Sequence, residues 1–418
     1  MNIFGAMRLP RSVLFGAGQI RAIGAVTAAL GKRALICTDA RLSADPAFAT
    51  MLADLAAAGV AVHVYDQTQP DLPVDSILEC VAQVSDFTPD VVLGVGGGSC
   101  MDLSKVVAVL LAHGGEIGDY YGEFKVPGPV LPLVAVPTTS GTGSEVTPVA
   151  VVSDNALGTK IGIASPHIIP TAAICDPDLT ITCPKGLTAC SGSDAMTHAV
   201  EAFTALARPI DAMLTQEHVF VGKNALSDQF AKLAVKSVWD SLKIAYDDGG
   251  NVAAREELML GSLAAGCAFG VAGTAAAHAL QYPVGNLTHT AHGDGVAALL
   301  PYVMQFNRPA AVPAFAELAR VVGLGGPGDD EDVLSQRFID GVADLFASVN
   351  IPTSLKQLGL AEDMQDFVAE NGLKAQRLIK NNPRPLDFDA MRSITGAAYA
   401  GDRSMLLDGV NLDLQKAV

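Results

Sequence analysis

The feature that most constrains this chain is a change of periodicity near Pro184. Up to that point short apolar runs rich in Val, Ile and Leu alternate with longer segments of helical spacing. The runs are RALICTD (33–39), VAVHVYD (60–66), DVVLGVGG (90–97) and LPLVAVPTT (131–139), and segments such as PAFATMLADLAAAG and CMDLSKVVAVLLAHGG lie between them. Strand–helix–strand alternation of this kind predicts a parallel sheet covered by helices on both faces. VAVVSDN, KIGIAS and AAICDPD, within 149–178, read as further short strands. Beyond residue 187 the pattern is helical almost throughout, so the chain divides into an α/β domain over 1–186 and an all-α domain over 187–418. Ligands are expected in the cleft between them.

Charge narrows the partners. Lys and Arg number 27 against 44 Asp and Glu, a net charge of −17 that repels nucleic acid and anionic membrane. No stretch of about 18 apolar residues runs unbroken, so no membrane span is expected. The seven cysteines are odd in number, scattered and without a Cys-x-x-Cys pair, which points to a reducing, cytoplasmic setting. The first residues carry no apolar run of secretory type. A small molecule is the expected partner.

Two loops follow predicted strands and are built to approach a phosphate. In DVVLGVGGGSCMDLSK a strand ends on Gly97, Gly98 and Ser99 and passes into a helix, whose first N–H groups are free to bind an anion. VPTTSGTGSEVTP (136–148) offers Thr138 and Thr139 at the end of another strand, where open α/β sheets place ligands; a plain helix-capping loop has the same composition. Asp39 closes the first run. A carboxylate there could bond the adenosine ribose and favour NAD over NADP, or simply cap a helix.

Four of the eight histidines fall in two windows. In SGSDAMTHAVEAF, Asp194 and His198 stand four apart on a helical pattern and share one face. In AAAHALQYPVGNLTHTAHGDG, His278 precedes Pro283 and Gly285, which are expected to break the helix so that His292 folds back towards it. Three imidazoles with one carboxylate suit Fe²⁺ or Zn²⁺ rather than Ca²⁺ or Mg²⁺. His63, His113, His167 and His218 read as structural or surface residues.

At this level the chain resembles the iron-containing (group III) alcohol dehydrogenases along nearly its whole length. The matches are FGAGQI, the Thr38–Asp39 pair, GGGSxxDxxK (96–105), PTTSGTGSEVT (137–147), DAMTHAVEAF (194–203), the spacing of His278 to His292–Gly293, and NNPRPL (381–386). The resemblance implies a dehydroquinate-synthase-like architecture, a dinucleotide-binding α/β domain followed by a helical domain, with one divalent ion held by Asp194, His198, His278 and His292. Fe²⁺ is the ion it implies and Zn²⁺ the alternative. Cofactor contacts would fall on Asp39, Gly97, Gly98, Ser99, Thr138, Thr139 and Lys160, and Phe269 would line the nicotinamide and substrate pocket. A homo-oligomer, a dimer, is the implied assembly.

Two positions depart from the family pattern. Cys100 follows GGGS where Pro is common, and Tyr282 stands where many members have a histidine near the reacting centre. Tyr282 is read as a hydroxyl relay and pocket wall, against a residue that only packs, with His289 the next candidate. The function expected is reversible hydride transfer between a small alcohol, or its aldehyde or ketone, and NAD. The alternatives are a reductase of an acidic aldehyde carrying a phosphonate or carboxylate, and a cofactor-binding assembly protein that has lost its chemistry.

Overall fold

The computed structural model describes residues 3–407; positions 408–418, assigned above to the second domain, lie outside the described residues. The strands are β1 (Ser12–Phe15), β2 (Arg33–Cys37), β3 (Ala61–Tyr65), β4 (Val91–Gly96), β5 (Gly122–Glu123), β6 (Leu133–Pro137), β7 (Val149–Asp154), β8 (Thr159–Ala164) and β9 (Ala172–Cys175). Six of them form a parallel sheet in the order β1-β9-β6-β4-β2-β3. Of the apolar runs read from the sequence, β2, β4 and β6 lie in its interior and β3 forms one edge. β4 is buried at every residue, as expected of a strand covered on both faces. Alternate side chains feed two cores, Leu35 and Val92 on one face and Ala34, Ile36, Val91 and Leu93 on the other.

The helices α1 (Pro46–Ala57), α2 (Val74–Val84) and α3 (Gly98–His113) pack on this sheet. From β2 the chain goes first to β3 on one side and then to β4 on the other, so the order reverses between β2 and β4. At such a switch point the loops leaving the two strands diverge and open a crevice at their C-terminal ends. Those loops carry Asp39 and Gly97–Ser99.

Two of the late runs do not join the sheet. β7 and β8 pair antiparallel across a short turn, and β5 adds to β8, making a separate three-stranded sheet. Strands joined by so few residues can only fold back on each other. β1 was not foreseen. It is a four-residue edge strand, largely exposed, with no buried run to reveal it.

Helices then follow: α4 (Lys185–Thr204), α5 (Ala225–Asp247), α6 (Val252–Ala272), α7 (Ala276–Thr288), α8 (His292–Val321), α9 (Glu331–Ser348) and α10 (Phe388–Ala400). They enclose one large core, and α4 runs through it, buried along nearly all its length. Among the described residues no single helix is long and apolar enough to cross a membrane. Pro283 does not break its helix as expected. α7 continues to Thr288, and the reversal comes at His289, which takes a left-handed φ of 54° and ends it.

Candidate metal and dinucleotide site

Asp194 and His198 project from one face of α4, His278 from the first turn of α7, and His292 opens α8. Close approach of backbones makes this convergence possible. A Cβ on Gly293 would fall 2.3 Å from the Cys190 carbonyl oxygen, so only glycine lets the start of α8 rest on α4 beside Asp194.

Asp194 Oδ1 is the focus. It lies 3.7 Å from His198 Nε2, 3.7 Å from His278 Nε2 and 3.9 Å from His292 Nε2. Asp194, His278 and His292 each offer a ligand atom within 4.8 Å of the others. His198 stands outside that trio while facing the same carboxylate oxygen, its ring stacked between Phe269 (4.1 Å) and His278 (4.7 Å). Asp194 Oδ1 and His278 Nε2 are buried without a hydrogen-bond partner among the described residues. Buried polar atoms are rarely left so unless something else occupies them. A divalent ion fits that gap in both charge and donor type.

The far sides of two rings are anchored, while His198 Nδ1 is buried without a hydrogen-bond partner among the described residues. His278 Nδ1 is 2.6 Å from Glu201 Oε2, and His292 Nδ1 is 2.8 Å from Gln281 Oε1. With Nδ1–H donated to these acceptors, a neutral ring keeps its Nε2 lone pair for the shared space. Glu201 is itself fixed by the Ala275 and Ala277 N–H groups at 2.8 and 2.7 Å. Neither Glu201 nor Gln281 figured among the sequence candidates. Both were within reach of the same rule, since Glu201 follows His198 by three residues and Gln281 follows His278 by three, each one turn along the helix.

Without an ion the cluster is electrostatically polarised. Burial opposes charge on every member. For His278 the Glu201 and Asp194 carboxylates outweigh it and lift the ring to about 9. For His198 and His292 burial prevails over Asp194 and lowers them to about 4 and about 3. Burial would raise Asp194, yet the surrounding imidazoles hold it at about 2. His198 and His292 are thus held neutral beside an anionic carboxylate, as a cation requires, and an ion bound at His278 Nε2 would take the place of the proton there.

At the sheet, Gly97 is the N-cap of α3 and no side chain caps the free N–H groups of Gly98 and Ser99. After β6, Thr138 and Thr139 are buried, and Thr138 Oγ1 and Ser140 Oγ have no partner among the described residues. These loops suit a diphosphate. Asp39 caps the short helix Ala40–Ser43, its Oδ1 accepting from the Arg41 and Leu42 N–H groups at 3.0 Å. That is the structural role weighed for it, and its Oδ2 stays turned towards Cys100, 4.0 Å from Sγ.

The loop after β6 also touches the metal helix. A Cβ on Gly141 would meet Ser191 Cβ at 2.6 Å, one turn ahead of Asp194. The motif residues Asp102 and Lys105 hold this loop rather than a ligand. Asp102 accepts from Ser144 Oγ (2.6 Å) and the Val151 N–H (2.8 Å). The buried Lys105 Nζ donates to Ser144 Oγ, Thr147 O and Val149 O at 2.8–3.0 Å. Lys160, on β8, is bound to Asp71 at 2.7 Å, and Tyr282 is buried one turn after His278 with Arg377 facing its hydroxyl.

A nucleotide cradle on a sheet, pressed against a carboxylate–imidazole cluster on helices, defines the class of metal-dependent, dinucleotide-linked oxidoreductases. Comparison with known proteins narrows this. The model for the iron-containing alcohol dehydrogenases matches residues 10–177, and the model for the C-terminal part of the same family matches 188–399. The chain belongs to the iron-containing alcohol dehydrogenase family. It is 35% identical to long-chain-alcohol dehydrogenase 1 of Geobacillus thermodenitrificans over 88% of this chain and 90% of that one. A crystal structure of 1,3-propanediol oxidoreductase superposes with a TM-score of 0.88 at 31% identity, covering 95% of this chain and all of that one. The sulfoacetaldehyde reductase of Bifidobacterium kashiwanohense in complex with NAD⁺ superposes with a TM-score of 0.80 at 29% identity, covering 96% and 100%.

Proposed function

We propose that this protein transfers hydride reversibly between a primary or secondary alcohol and NAD⁺, with one divalent ion held by Asp194, His198, His278 and His292. The observation that carries the reading is the convergence of three Nε2 atoms on one orphaned carboxylate oxygen, against a loop with free phosphate-binding groups. Fe²⁺ fits the family, and Zn²⁺ fits the same nitrogen and oxygen donors. The ion supplies Lewis acidity towards the substrate oxygen.

The chain's own residues do the rest. Residues 1–186 hold the cofactor: Gly97, Gly98 and Ser99 take one phosphate on backbone N–H groups, and Thr138 and Thr139 donate hydroxyls to its neighbour. Asp39 accepts from the adenosine ribose and repels a 2′-phosphate, and Lys160 is the further cofactor contact that the resemblance implies. In the helical domain from 187, Phe269, stacked on His198, forms a wall against which the nicotinamide lies, and with Tyr282 it excludes water from the reacting carbon. Tyr282 relays the proton, accepting one hydrogen bond while donating another. Seven free, buried cysteines fit a reducing cytoplasm, and a homodimer is the assembly the family resemblance favours.

The test is NADH formation by protein reconstituted with Fe²⁺ or Zn²⁺ against a panel of alcohols, and NADH consumption with the matching aldehydes. Turnover in both directions with NAD(H) is expected. NAD⁺ binding without turnover on any alcohol or aldehyde would favour the assembly-protein alternative.

A further inference from the structure

Tyr282 is also one wall of a cavity of about 540 Å³ between the β7–β8 hairpin and the segment around Gln376–Ile379. The cavity is cationic in a chain of net charge −17. Lys160, Arg208, Lys374, Arg377 and Lys380 line it, against the single carboxylate of Glu123. Asp71 neutralises Lys160, and Glu123 is turned to the Val219 N–H at 2.7 Å. Arg208, Lys374, Arg377 and Lys380 have no carboxylate partner among the described residues, whose other lysines and arginines repeatedly find one. Arg208 Nε is buried with no hydrogen-bond partner among the described residues. Arg377 is half-buried, its guanidinium over the Phe220 ring at 4.8 Å and facing the Tyr282 hydroxyl.

Like charges gathered in one concavity repel unless an anion joins them. Exposed lysines such as Lys374 and Lys380 are ordinarily solvated, but two arginines held in a wall by packing are not so easily accounted for. Guanidinium groups pair two-pronged with planar or tetrahedral oxyanions. Tyr282 sets the cavity beside the reacting centre. Tyr282 lies one turn from His278 on the same face of α7, and Asn286 Nδ2 ties that helix to the hairpin through Gly158 O at 3.2 Å.

We infer that the substrate of this protein is a short aldehyde whose far end carries an oxyanion, a sulfonate, phosphonate or carboxylate, held by Arg377 and Arg208 while its carbonyl lies at the Asp194 cluster. The inference rests on the dehydrogenase reading above and names its substrate class. In the reductive direction the C=O π bond breaks, hydride from NADH forms the new C–H bond, and a solvent proton forms the O–H bond. One aldehyde and one NADH with H⁺ give one alcohol and one NAD⁺.

The test compares kcat/KM of the metal-loaded enzyme, with NADH, for sulfoacetaldehyde, phosphonoacetaldehyde and succinic semialdehyde against propanal and butanal. At least one anionic aldehyde should be preferred by about 100-fold or more, since a site built to bond a polar group rejects an analogue lacking it. Arg377→Met and Arg208→Met should bring that ratio towards one. Should either fail to fold, Lys374→Glu, a charge reversal at an exposed position, should still lower the ratio about tenfold. Equal or better use of the neutral aldehydes would overturn the inference and leave the dehydrogenase reading intact. If no aldehyde is turned over, the dehydrogenase reading fails first, and calorimetric binding of 2-hydroxyethanesulfonate against 1-propanol then decides this inference: preferred binding of the anion that is lost in Arg377→Met supports the anion site, and its absence refutes it.

Discussion

His278 and Glu201 form the tightest contact in the cluster, Nδ1 to Oε2 at 2.6 Å, on the side of the ring facing away from Asp194. The Ala275 and Ala277 N–H groups hold the same carboxylate in place, so three donors converge on its two oxygens. Glu201 therefore acts as a positioning residue for the imidazole. Glu201→Gln removes the charge and sets an NH₂ group against one of three donors, so metal affinity should fall about 10- to 100-fold. Competition with a chromogenic chelator measures it; an unchanged dissociation constant would mean that Glu201 only fills space.

Asp39 caps a helix, and a substitution can separate that role from the proposed ribose contact. Asp39→Asn keeps an oxygen to cap Ala40–Ser43 and removes the negative charge beside the ribose site. The ratio of NADP⁺ to NAD⁺ use, read as kcat/KM, should rise about tenfold with little change in melting temperature. A wild type that already uses NADP⁺ as well as NAD⁺ would refute the ribose assignment.

Lys105 is a fully buried cation that donates to the loop and strand after β6 and stands 4.0 Å from Asp102 Oδ1 on its own helix. Lys105→Met leaves Ser144, Thr147 and Val149 acceptors unpaired, and should cost about 3 kcal/mol of stability. Because Gly141 of that loop rests on α4, NAD⁺ affinity should weaken as well. Denaturant unfolding and NAD⁺ titration check the two halves; normal stability would show that the motif lysine serves the ligand instead.

Tyr282 is protonated at any working pH, because burial raises the phenol and Arg377 only partly offsets it. Tyr282→Phe keeps the ring and deletes the hydroxyl. A relay predicts about tenfold or greater loss of kcat with NAD⁺ affinity unchanged. An unaltered rate and pH profile would move the relay to His289 or to water.

The parts of this molecule that the sequence made legible share a physical cause. β2, β4 and β6 are covered on both faces, so their residues form unbroken apolar runs, and Asp194 and His198 are found by a spacing that one helix alone imposes. What escaped depends on tertiary placement. β1 is an exposed edge, and the antiparallel turn of β7 against β8 was hidden because alternation gives strands without their partners. Pro283 was misjudged because a proline inside a packed helix is held by its neighbours. Arg208 and Arg377 come from segments far apart in the chain, and nothing local in either announces a shared cavity.

The central claim, one catalytic ion among Asp194, His198, His278 and His292, is tested most directly by stripping the protein with a chelator and titrating Fe²⁺ or Zn²⁺ back while following NADH formation and bound metal together. Activity should return in proportion to the ion and saturate at one per chain. His278→Ala and His292→Ala should bind the ion weakly and stay inactive while binding NAD⁺ with near wild-type affinity. Full turnover by the metal-free wild type, or by either variant, would contradict the claim.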